Sequence, residues 1–134
     1  MSSAESALQQ AVYAALASDG GLSAMIGADG VHDRQLTKTD MPYVLIREMT
    51  ASDIGADGDG MQEILLTLEA WSAGAGHAEV QSIAGQVRAV LDDAGLVLAD
   101  GFSLISLYHR KTRIRRETKT RLHVAEMTFR AVVA

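Results

Sequence analysis

Cysteine is absent from the 134 residues, so no disulfide, thiolate zinc site or cysteine nucleophile is available. That absence suits a reducing compartment. One tryptophan, three tyrosines and two phenylalanines are too few to suggest the stacking platform of a single-strand nucleic-acid binder. No apolar run approaches the roughly 18 residues that a membrane span needs. The opening residues, MSSAESALQQ, hold a glutamate and neither Lys nor Arg, which is not the pattern of a secretory signal. A soluble, intracellular chain is expected, folded as a single domain over residues 1–134.

Catalytic signatures are missing as well. No GxSxG, P-loop or HExxH occurs, and His32, His77, His109 and His123 lack metal-ligand spacing. The stretch DIGADGDG resembles a calcium loop until it is aligned. With Gly60 at the invariant glycine of an EF-hand, Gly55 falls where the first aspartate belongs and Leu66 where the bidentate glutamate belongs. GADGDG is no dinucleotide fingerprint either, since it precedes a strand. Asp92 and Asp93 near a helix C-terminus read as a solvated or interface patch. Neither an enzyme nor a cofactor is indicated.

What the chain does have is a concentration of positive charge. Residues 110–121, RKTRIRRETKTR, hold seven of the twelve Lys and Arg residues. Their net charge is +6, so the remainder sums to −11 in a chain of −5 overall. Such asymmetry points to a partner or a neighbouring copy.

The pattern of apolar residues predicts an α+β fold. A helix spans about Ala4 to Ser18, with Ser2 and Glu5 at capping-box spacing and Leu8, Val12, Ala15 and Leu16 on one face. Glycines at 20 and 21 end it; LSAMIG is a short apolar turn and VHDRQL a possible short strand. The single proline, Pro42, favours a strand from Tyr43. YVLIREM and MQEILLTLEAW form two strands. In the second, Ile64, Leu66, Leu68 and Ala70 share the buried face, while Glu63, Thr67 and Glu69 share the wet one. ASDIGADGDG between them is too polar and glycine-rich to pack, and is expected to be mobile. A second helix covers about His77 to Ala94, its apolar stripe running through Val80, Ile83, Ala84, Val87, Val90, Leu91 and Ala94. Gly85 inside it suggests a close approach to the sheet. FSLISLYHRKT and TRLHVAEMTFRAVV form the last hairpin, with Ala125, Met127, Phe129, Ala131 and Val133 facing one way. The predicted order is α-β-β-α-β-β: a mainly antiparallel sheet of four or more strands with two helices packed on one face.

Pairing Leu107 with Ala125 puts His109 opposite His123 and centres the last turn near Arg116. The hairpin is then apolar at its base and cationic at a tip that projects past the core. Arg110, Lys111, Arg113, Arg115, Arg116, Lys119 and Arg121 are the candidate interface residues. Three readings compete. The stretch is a solvated hairpin whose charges protect a strand edge, or a protein interface, or a nucleic-acid grip through phosphate neutralisation. The last normally wants a basic domain with aromatics, and this chain is acidic, with a pI near 5.2.

MPYVLI, the strand ending in Trp71-Ser72, the helix after SAGAGH, SLISL and the closing HVAEMTFRAVV together resemble the small phage tail-completion proteins. These include the tail-terminator (tail-to-head joining) proteins of long-tailed phages, prophages and gene transfer agents. The resemblance implies a structural protein forming a homo-oligomeric ring, commonly a hexamer, on the end of the assembled tail tube. Such a ring stops addition of the tail tube protein and offers a surface to the neck or head-completion protein. DNA passes through its hole without sequence-specific binding. Assembly in the host cytoplasm and residence at the tail–neck junction of the virion follow, with no membrane involved.

The residue-level reading suits that role. A ring needs two different complementary patches on each copy, and six copies at −5 each carry −30, which would let DNA slide through the bore. Asp53, Ile54, Asp57, Asp59 and Met61 are candidates for contact with tube or neck. The alternatives are a head-side neck adaptor or stopper and, from another class, a nucleic-acid-binding module using 110–121.

Overall fold

A computed structural model describes residues 3–33, 41–55, 60–74 and 76–134. The chain opens with α1 (Ala4–Ala17), capped by Ser3, whose Oγ accepts a hydrogen bond from the Ser6 amide at 3.1 Å. The predicted cap, Ser2, lies outside the described residues. Leu8, Val12 and Leu16 are fully buried, as the stripe predicts.

The expected apolar turn is instead a helix, α2 (Gly20–Ile26). Asp19 starts it by accepting from the Leu22 amide at 2.8 Å and from Gln86 Nε2 of the third helix at 2.8 Å. Among the described residues there are therefore three helices where two were predicted. β1 (Val31–His32) is a two-residue strand, and the rest of VHDRQL from residue 34 lies outside the described residues.

β2 (Tyr43–Asp53) starts at the residue after Pro42 and β3 (Gln62–Ser72) returns beside it. α3 (Ala78–Leu91) follows, then β4 (Leu104–Arg116) and β5 (His123–Val133). Among the described residues the sheet has five strands in the order β1-β2-β3-β5-β4. β1 runs parallel to β2, and every other pairing is antiparallel.

Alternation puts Ile64, Leu66, Leu68 and Ala70 of β3 in one core with Ala125, Met127, Phe129, Ala131 and Val133 of β5. The apolar stripes of all three helices join that cluster. On the opposite face of the sheet polar side chains pair across strands, among apolar neighbours that include the buried Leu45, Val124 and Val132. Arg47 meets Glu126 at 2.7 Å and Glu69 at 3.5 Å, while Arg130 meets Glu63 at 2.6 Å. Tyr43 stacks on Trp71, with centroids 6.4 Å apart.

Candidate assembly interface

The basic stretch is not a projecting arm. The expected register is off by six residues: Leu107 sits opposite Ala131, His109 opposite Phe129, and Arg116 opposite His123. Arg110, Lys111, Arg113, Arg115 and Arg116 thus belong to β4 itself, paired along the buried strand β5, and only Lys119 and Arg121 lie in the connection. The physical reason is the length of β5. Its inward row is buried as far as His123, so β4 must run alongside it to the end, and Ile114 packs at the margin of the core. Two bulges, at Leu104/Ser106 and His109/Lys111, shift the phase of β4 and let it keep pace.

The turn is built from 117 to 122. The Glu117 amide donates to Leu122 O and the Arg121 amide to Glu117 O, each at 2.8 Å, with Arg121 at φ 60°. That left-handed conformation is uncommon for a non-glycine residue.

Charge on β4 is largely uncompensated. Arg115 lies 3.6 Å from Glu117; among the described residues none of the other six cations has an ion pair. Arg110, Lys111, Arg113, Arg116, Lys119 and Arg121 are exposed. Arg110 and Lys111 line a shallow groove of about 420 Å³ with Glu63, Leu65 and Thr128. Arg47 and Arg130, by contrast, are each held by carboxylates on the open face of the sheet. Their pairing depends on cross-strand register, which no local motif displays.

β4 is an edge strand, hydrogen-bonded on one side only to β5. The end of α3 covers part of its free edge. The Asp93 amide donates to Leu107 O at 2.7 Å, and Asp92 Oδ1 accepts from the His109 amide at 2.9 Å. The two acids read as a solvated or interface patch therefore pin the helix end to the sheet. Past His109, among the described residues, nothing takes up the outward backbone groups of β4. His109 itself packs edge-on against Phe129 and lies 2.6 Å from Thr112 Oγ1. Desolvation lowers its pKa and Arg88 adds to the shift, while Asp92 opposes it.

His123, expected on the surface opposite His109, is buried and contacts His77 edge-on at 4.6 Å. Among the described residues no group of three or more His, Asp or Glu side chains is placed to hold a metal ion. Tyr43 lies beside a cleft of about 190 Å³ shared with Asp33, Arg47, Glu69 and Trp71. Burial raises its pKa, and the Glu69 carboxylate adds to the effect.

The second candidate region lies only partly within the described residues. Asp53 is the last residue of β2 and pairs with Gln62, and the Ile54 amide donates to Met61 O at 3.1 Å. Ile54 is exposed; Asp57 and Asp59 lie outside the described residues. Among the described residues no helix is long and apolar enough to cross a membrane.

Residues 10–134 match the family model described as Tail completion protein gp17. The chain belongs to the tail completion protein family. A solved chain in a structure described as the virion of a native gene transfer agent particle has the same fold. It superposes with a TM-score of 0.89 at 26% identity, covering 99% of this chain and 98% of that one. A comparison with curated protein sequences gave no match.

Proposed function

We propose that this tail completion protein is a structural component of a phage-like particle that closes the end of the tail tube as a ring. In this reading the ring has six copies, as the resemblance implies. It stops addition of tube subunits and presents a surface to the neck or head-completion protein. DNA traverses the hole without base-specific contact. The protein acts by binding alone and needs no cofactor.

The observation that carries the reading is the near end-to-end match to a chain of a gene transfer agent virion. Charge supports it: a ring of identical copies requires a heterologous contact, and a +6 segment on a body of −11 supplies unlike partners. Complementary charge would speed and orient association more than it would raise affinity.

Reversing Arg113, Arg115 and Arg116 to Glu should reduce ring formation or docking on tail tubes at least tenfold, measured by co-sedimentation of the protein with tubes. Unchanged co-sedimentation would remove β4 from the interface. A salt-sensitive gel shift with DNA, lost in the same variant, would favour nucleic-acid contact by this strand instead.

A further inference from the structure

Among the described residues the sheet is open at both ends, and its two open edges are unlike. At one end is β4 from Arg110 to Arg116, with five cations. At the other, β1 covers β2 only at Val44 and Leu45. Beyond Leu45, among the described residues, nothing pairs with the outer edge of β2, whose exposed side chains include Glu48 and Asp53. Unpaired edges of this length are templates for adding a strand.

We infer that β4 of one copy pairs antiparallel with β2 of the next, so that the sheet runs on from subunit to subunit. This deepens the ring reading and rests on it.

Three observations carry the inference. The first is direction. β2, β3, β5 and β4 alternate in sense, so β2 and β4 run oppositely. Copies repeated around an axis, without turning a face over, therefore meet as an antiparallel pair, which needs no rearrangement.

The second is register. On each open edge one apolar residue stands at the margin of the core, Met49 on β2 and Ile114 on β4, both partly buried. Setting Met49 against Ile114 joins the two cores and keeps each face of the sheet continuous. The same setting brings Glu48 to Arg115, Thr50 to Arg113, Ser52 to Lys111 and Asp53 to Arg110. In the isolated chain the inward neighbours of Met49 and Ile114 in the sheet are Leu66 and Ala125, both fully buried.

The third is discrimination. Two β4 edges repel each other through their cations, whereas β4 against β2 sets cations beside carboxylates. Charge on the edge thus blocks the wrong pairing and favours the right one.

A chain without cysteine makes the test clean. In the double variant Thr50→Cys, Arg113→Cys both positions are exposed. A bond within one chain is out of reach, since β3 and β5 separate the two strands by about 14 Å. Directly opposed residues of an antiparallel pair have the separation a disulfide requires. The full-length variant is bound to tail tubes assembled without the native protein, oxidised, and run on a non-reducing gel. Ser52→Cys with Lys111→Cys serves as a second pair should the first disturb folding, and Ser82→Cys with Arg113→Cys as the off-site control.

The expected result is a reducible ladder beyond the dimer for the two edge pairs, with single-cysteine variants and the control stopping at dimer or below. Rings seen on the tubes by electron microscopy, with no ladder from either edge pair, would overturn the edge joint and leave the ring standing. A protein that stays monomeric on tubes would overturn both.

Discussion

Gly85 occupies the middle of α3 on its exposed side, and a Cβ built there meets no heavy atom within 4 Å. The close approach to the sheet that its presence suggested does not exist. The residue therefore contributes only the entropy cost of glycine in a helix, about 1 kcal/mol relative to alanine. Gly85→Ala should raise stability by about that amount, seen as a melting temperature a few degrees higher. An unchanged or lower value would mean that the glycine backbone is needed by something outside the monomer. Phe129 is the opposite case: fully buried, it lies in the core where the alternation of β5 places it.

Among the elements, β4 shows best what could and could not be read in advance. Its existence, and that of β2, β3, β5 and α3, was legible because period-two and period-3.6 patterns are set by which faces must be dry. Ile64, Leu66, Leu68 and Ala70 are all fully buried, as the alternation required. The pairing of β4 was not legible. Leu107 can be set against any inward residue of β5, and the bulged positions look like any others in sequence.

Helix α2 was missed for a different reason. Two glycines open it and it is only seven residues long, so its periodicity is too short to register; the Asp19 cap was its one available sign. The candidate interface was legible as a cluster of charge. Its placement along a strand edge depended on the register and so was not.

Asp92 is the clearest test at this scale, since it ties α3 to the edge of β4 through the His109 amide. Asp92→Ala should cost about 1–2 kcal/mol in urea denaturation, because a partly buried N–H loses its acceptor. Asp92→Asn keeps an oxygen there and should lose less. Equal losses would mean that the carboxylate charge, beside Arg88, matters more than the hydrogen bond.

For the molecule as a whole, family membership and the unequal distribution of charge converge on assembly. Residues 110–121 carry +6 and the remainder of the chain −11, so a copy is better complemented by a neighbour than by itself. Removing the protein from assembling particles and imaging the products by electron microscopy tests the central claim directly. Tails that are overlong or lack heads are the outcome the account predicts. Tails of normal length joined normally to heads would contradict it.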